Sequence, residues 1–167
     1  WRRQLKEATP DGIDVDFVAP EGTGLGVIEY RVTGHGGAEG DADCIGPAEE
    51  FCFRDHEVDV DGARFADLTP PRSDCELGCT IEHYDPFDLD YCAENPCGAI
   101  GSVRASRANW CPGSVTPPFL LQGPAVDTPG PHIASFRVPK LIEGGVWQTS
   151  ATFVAYAVDK AAAKAGS

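Results

Sequence analysis

The chain has 167 residues, 42% of them hydrophobic, which is the size of one domain and enough to bury a core. Nineteen glycines and fourteen prolines, about a fifth of the chain against roughly 12% in average usage, disfavour long helices and favour short elements joined by turns. A formal net charge of −13 argues against a nucleic-acid or anionic-lipid surface, and no apolar run approaches the ~20 residues of a membrane-spanning helix.

The first few residues hint at helix, and the opening Trp1-Arg2-Arg3-Gln4 carries neither an initiator methionine nor an apolar leader core. The chain is therefore expected to be a mature or excised piece. Ile13, Val15 and Phe17 then alternate with Asp14 and Asp16, the period-2 pattern of a half-buried strand. Ile28, Tyr30 and Val32 around Glu29 and Arg31 repeat it, as do Val58 and Val60, and Asp61-Gly62 supplies turn chemistry at the end of that run. Between 67 and 118 the periodicity vanishes into a long irregular stretch. Strands resume at Phe119–Gln122, at 133–138 and at 146–158, where Trp147, Thr149, Ala151 and Phe153 share one face and Thr152, Val154, Tyr156 and Val158 the other. Residues 159–167, with three alanines between two lysines, read as a tail or linker stub. These elements predict an all-β protein: an antiparallel, eight-stranded jelly-roll β-sandwich with long disulfide-pinned loops, a single domain over 1–158.

Seven cysteines stand at 44, 52, 75, 79, 92, 97 and 111, in Gly-, Pro- and Asp-rich segments that need pinning rather than in the apolar runs at either end. That distribution favours disulfides formed in an oxidising compartment, hence a secreted, periplasmic or cell-surface protein. The rival is zinc, but Cys75 and Cys79 form at most half a site and Cys92, Cys97 and Cys111 do not make a pair of C-x-x-C knuckles.

Three stretches carry a resemblance: Arg31-Val32-Thr33-Gly34-His35-Gly36, read as a strand running into a loop; Glu49-Glu50-Phe51-Cys52-Phe53-Arg54-Asp55-His56; and Cys92-Ala93-Glu94-Asn95-Pro96 through Arg107-Ala108-Asn109-Trp110-Cys111-Pro112-Gly113. In this order, and with the closing strand that bears Trp147 and Phe153, they resemble the carboxy-terminal domain of the peptide-N-glycosidase F family, over roughly 28–156. The resemblance implies two consecutive jelly rolls, of which this is the second. It implies an N-linked glycoprotein or glycopeptide substrate, and hydrolysis of the amide between the innermost N-acetylglucosamine and asparagine. No cofactor and no metal are implied. The active site is expected in the cleft between the jelly rolls, with a catalytic aspartate on the preceding one.

Carried over residue by residue, the resemblance makes Glu50 a catalytic carboxylate and Arg107 the arginine that reaches it; Arg104 competes for that role but stands at the wrong distance before Trp110-Cys111. The bland alternative for Glu50 is a solvated loop glutamate beside another one, Glu49. His35 and Trp110 are expected to bind substrate; His56 is a further site candidate, for which a loop histidine satisfied by backbone is the commoner outcome. The disulfides are expected to join Cys92 to Cys111, worth about 3 kcal/mol in the chain-entropy model, then Cys44 to Cys52 and Cys75 to Cys79, leaving Cys97. Three departures matter. Thr33 stands where the family has a tryptophan, and Ile45-Gly46-Pro47-Ala48 and an acidic segment at 74–90 are inserted, the latter able to cap the cleft. A carbohydrate- or protein-binding jelly roll without catalysis is the main alternative. A copper monooxygenase-like domain is the remote one, disfavoured by the lack of methionine and by four scattered histidines, His35, His56, His83 and His132.

Overall fold

Two long strands with opposite inward and outward residues form the spine of the protein in a computed structural model, which describes residues 1–6, 11–37, 42, 44 and 48–157, with backbone alone at 6 and 95–99. β3 (Thr23–Gly36) pairs with β11 (Gly145–Ala157) along nearly its whole length, from Gly36 opposite Gly145 to Thr23 opposite Ala157. β1 (Arg2–Lys6) lies outside β11 and β9 (Phe119–Gln122) outside β3, giving a sheet of order β1-β11-β3-β9. The second sheet has the order β2-β10-β4-β5, from β2 (Ile13–Ala19), β10 (Gly130–Arg137), β4 (His56–Val60) and β5 (Ala63–Leu68). Chain-consecutive strands β1 and β2 lie in different sheets, as do β3 and β4, and β9 and β10. This is the wrapped connectivity of a jelly roll.

The alternation read from the sequence sets the faces. Ile28, Tyr30 and Val32 point inward from β3, Val58 and Val60 from β4, Phe136 from β10 and Trp147 from β11, all essentially without exposure. Tyr30 stacks on Phe136 across the two sheets with ring centroids 5.0 Å apart, and Phe17 meets Phe153 at 4.8 Å. Each fully buried side chain of this size contributes about 1.5–3 kcal/mol. Asp61 and Gly62, both at positive φ, make the predicted turn between β4 and β5.

Several elements differ from the reading above. Residues 2–6 are an edge strand rather than a helix, because their partner is the far end of the chain, at 146–150. The supposedly irregular stretch holds a small third sheet, β6 (Ile81–Tyr84), β7 (Leu89–Cys92) and β8 (Asn95–Ala99), followed by the short helix α1 (Ile100–Arg104). All four residues of β6 are exposed, so no apolar alternation marks it. A second short helix, α2 (Pro124–Asp127), links β9 to β10 and its Asp127 carboxylate accepts a hydrogen bond from the Gly26 N–H at 2.8 Å. His56 is not in a loop: it opens β4, fully buried, with Nδ1 3.1 Å from the Tyr30 hydroxyl and its ring edge-on to Trp147 at 4.3 Å. Burial pushes His56 down to about 3 and raises Tyr30 above its ordinary value.

The disulfides join Cys44 to Cys52, as expected, but then Cys75 to Cys111 and Cys79 to Cys92. The expected Cys92–Cys111 and Cys75–Cys79 pairs exchange partners because two long-range registers decide them. The β6–β7 hairpin sets Ile81 opposite Cys92, with the Ala93 N–H bonded to Thr80 O at 2.8 Å, which brings Cys79 beside Cys92. Reciprocal backbone bonds between Arg72 and Arg107, at 2.9 and 2.8 Å, bring Cys75 beside Cys111. The side chain of Cys97, the inserted residues 45–47 and the stub at 159–167 lie outside what the structure describes.

Two outcomes follow from this arrangement. Disulfide mapping under non-reducing conditions should recover the 75–111 and 79–92 crosslinked peptides. The Cys75→Ser/Cys111→Ser double variant should lose about 2–4 kcal/mol in urea denaturation; recovery of a 92–111 peptide would overturn the pairing. Neutral burial of His56 also fixes a sign. The unfolded chain binds a proton at His56 near pH 6.5 and the folded chain does so only near pH 3, so stability is complete above about pH 6.5 and falls as pH drops toward 3. The slope from this group reaches about 1.4 kcal/mol per pH unit. His56→Gln, which keeps a partner for Tyr30 but takes no proton, should unfold with a shallower acid dependence; an unchanged slope would refute the assignment.

Candidate active site

The site is built where β3 outruns its outer neighbour. β9 pairs with β3 only from Val27 to Tyr30, leaving the edge of β3 beyond Tyr30 without a strand partner in the sheet. The loop 107–110 takes that edge instead. The Gly34 N–H donates to Ala108 O at 3.0 Å, the buried Asn109 amide donates to Val32 O at 2.9 Å, and the Trp110 indole N–H donates to Gly34 O at 3.0 Å. Gly34 is required here: a Cβ on it would stand 2.6 Å from the Ala108 Cβ and 3.0 Å from the Trp147 ring. The stretch 31–36, read as a strand running into a loop, is thus strand as far as Gly36, extended by its pairing with β11. Asn109 adopts φ 62°, a left-handed conformation that asparagine tolerates better than most residues, so the chain can turn here and send Arg107 and Trp110 to the same side.

Ala108 also ties the loop to the second catalytic candidate. Its N–H donates to Glu50 O at 2.8 Å, within a 3-10 turn formed by Glu49–Phe51. With the two backbones joined there, Arg107 Nη2 donates to Glu50 Oε2 at 2.7 Å. The structure therefore brings Glu50 and Arg107 together across 57 residues of chain. The guanidinium is nearly enclosed, with 4% of its side chain exposed, whereas the Glu50 side chain keeps 30%. Arg107 Nη1 donates to Ser102 Oγ at 2.8 Å and to Ser102 O at 3.2 Å. Its planar face lies 4.0 Å from the Trp110 ring centroid and 4.8 Å from that of Phe51. Burial pulls the Arg107 guanidinium below its ordinary value and Glu50 opposes the shift; arginine starts so high that the group stays cationic.

His35 sits on the neighbouring outward position of β3, its ring 5.0 Å from that of Trp110 and its Nε2 2.8 Å from Thr33 Oγ1. Burial lowers its proton affinity, Glu50 raises it and Arg107 lowers it further; the net shift is downward, so the ring is neutral at physiological pH. Glu50, Arg107, His35 and Trp110 thus form one cluster. Arg104 lies apart, exposed and paired with Glu76 at 2.9 Å. His56 belongs to the core and not to this cluster. The acidic insert at 74–90 braces the loop from behind: Cys75 is bonded to Cys111, and the Arg72 guanidinium binds Asp74, Ser114 Oγ and Val115 O.

Glu49 is a residue that the sequence did not single out. It is fully buried and pairs with Arg54, whose Nε and Nη2 lie 2.8 and 3.1 Å from its two oxygens. The sequence offered one signal, a glutamate and an arginine five residues apart around a disulfide-bonded cysteine. Nothing in composition says that both are buried.

A carboxylate held by an arginine beside two aromatic rings and a neutral imidazole can hold an amide or a sugar hydroxyl and pass a proton. The four histidines occupy four separate settings. His83 lies on an exposed hairpin among Asp85, Asp88 and Asp90, and His132 is held between Asp61 and Thr128 O, so they do not make a common copper site.

Comparison with known proteins gives the family. No curated protein matched the chain. Among solved structures, two crystal forms of PNGF-II align at 24% and 23% identity with TM-scores of 0.60 and 0.62, covering 87% and 90% of this chain and 25% of theirs. A peptide-N(4)-(N-acetyl-beta-D-glucosaminyl) asparagine amidase aligns at 19% identity and a TM-score of 0.58, covering 86% of this chain and 43% of that one. The chain therefore spans between a quarter and a half of the proteins it resembles, and at these identities the likeness is one of fold. A family model described as peptide-N-glycosidase F, C terminal, matches residues 6–154, and on that match this chain belongs to the carboxy-terminal domain family of peptide-N-glycosidase F.

Proposed function

We propose that this domain is the second jelly roll of a longer, extracellular peptide-N-glycosidase-like amidase, and that it supplies Glu50 and Arg107 to an active site completed by a preceding jelly roll. The observation that carries the reading is the Glu50–Arg107 contact at 2.7 Å, set between Trp110 and Phe51 on the domain's rim. The family match and the three disulfides support it.

In this reading water adds to the asparagine side-chain carbonyl, the carbon–nitrogen bond breaks, and the nitrogen takes a proton. The products are aspartate and a glycosylamine. Arg107 is too enclosed to meet substrate broadly, and its work is to hold Glu50 in one orientation through a short charged hydrogen bond. The more exposed Glu50 then holds the substrate amide or an adjacent hydroxyl. Trp110 presents the aromatic surface against which a sugar ring packs, with His35 as a neutral hydrogen-bonding partner. The aspartate that activates water belongs to the preceding domain, so the isolated chain is expected to release nothing.

A second reading, a glycan-binding module without turnover, draws on one observation. Thr33, in place of the family's tryptophan, holds His35 through its hydroxyl and removes one aromatic wall. The two readings separate in one assay. The full-length protein should free glycans from a denatured glycoprotein and leave aspartate at the vacated site, detected by mass spectrometry, and Glu50→Gln should lower kcat by roughly 10²–10⁴-fold. Glycan binding with no release favours the second reading. Release unaffected by Glu50→Gln rejects the role given to Glu50.

A further inference from the structure

The residue next to Glu50 is held through both of its carboxylate oxygens. Glu49 Oε1 accepts from Arg54 Nε and from the Trp147 indole N–H, each at 2.8 Å, and Oε2 accepts from Arg54 Nη2 at 3.1 Å and the Ile142 N–H at 3.3 Å. Four donors from three residues thus satisfy a carboxylate with no exposed surface, near the most that two oxygens can accept. Arg54, itself 2% exposed, also reaches Cys44 Sγ of the Cys44–Cys52 bridge. Gly145 leaves room for the group, since a Cβ there would stand 3.0 Å from Glu49 Oε2.

A buried ion pair of this kind adds little net stability compared with well-packed apolar residues, because desolvation consumes most of the attraction; its best-attested use is to specify one arrangement among several. Here the arrangement specified is that of a three-residue 3-10 turn. With three residues per turn, successive side chains diverge by about a third of a revolution. Fixing Glu49 inward therefore directs Glu50 to Arg107 and Phe51 beneath the same guanidinium. Such a short turn has little rigidity of its own, so the rotation must be set from outside.

We propose that Glu49 is a positioning residue for catalysis: gripped by Arg54, Trp147 and the Ile142 amide, it sets the rotation of the 49–51 turn and so aims the Glu50 carboxylate at Arg107. This rests on the reading of Glu50 as the acting carboxylate. The role is distinct from that of Arg107, which holds Glu50 by direct contact, whereas Glu49 acts through the backbone they share.

The test is a kinetic cycle in the full-length protein with Glu49→Gln, Glu50→Gln and the double variant, each confirmed folded by circular dichroism. Glu49→Gln should lower kcat for glycan release tenfold or more with KM nearly unchanged. In the Glu50→Gln background the same change should have no further effect, because there is no longer a carboxylate to aim. Trp147→Phe, which removes one of the four donors but keeps an aromatic in the core, is the second variant if Glu49→Gln does not fold. It should give a smaller kcat loss, again absent in the Glu50→Gln background. A wild-type kcat in a folded Glu49→Gln protein, or losses that multiply in the double variant, would overturn the inference and leave the role of Glu50 standing. Full activity of Glu50→Gln would overturn both.

Discussion

Everything at the candidate site depends on a strand edge that no strand among the described residues covers. β9 leaves β3 after Tyr30, and the exposed backbone groups of Val32 and Gly34 must be satisfied by something else. Ala108, Asn109 and Trp110 do so, and Ala108 at the same time accepts β3 and donates to the 49–51 turn. One residue with no polar side chain thereby joins three segments distant in sequence. The positions of Glu50 and Arg107 are consequences of that seam, and the aromatic and serine contacts around the guanidinium refine them.

Around the seam, covalent and ionic restraints divide the work. The Cys75–Cys111 bridge and the Arg72–Arg107 backbone pair hold the loop from the side of the insert, while Glu49, Arg54 and the Cys44–Cys52 bridge hold the turn from the side of the core. The insert serves as a buttress with its own small sheet. Its exposed hairpin carries few buried contacts and draws its order from the Cys79–Cys92 bridge. The two carboxylates Glu49 and Glu50 illustrate how environment separates identical groups. One is enclosed and fully satisfied, the other is paired on one oxygen and partly open to solvent.

The sandwich itself was legible because it is built from half-buried strands. Residues 13–17, 28–32 and 58–60 alternate, and the structure turns their apolar members inward; along 146–157 Trp147, Thr149, Ala151 and Phe153 face the core while Tyr156 stays exposed. Elements without a buried face were not legible. β6 is exposed throughout, and β1 becomes a strand only because its partner arrives from the other end of the chain. His56 was misread for a related reason: polarity suggested a loop, yet one tyrosine hydroxyl and the edge of Trp147 suffice to hold a neutral imidazole in the core.

By itself the sequence determined the class of fold, the disulfide-forming character of the cysteines, and which residues are available for chemistry, because alternation, composition and motif spacing are local properties. The tertiary structure alone decided partners. Whether Cys75 meets Cys79 or Cys111, whether Glu49 is solvated or enclosed, and whether Glu50 reaches Arg107 all depend on registers between segments tens of residues apart. No local pattern encodes such a register; it is set by which backbone edges remain unpaired once the sheets have formed.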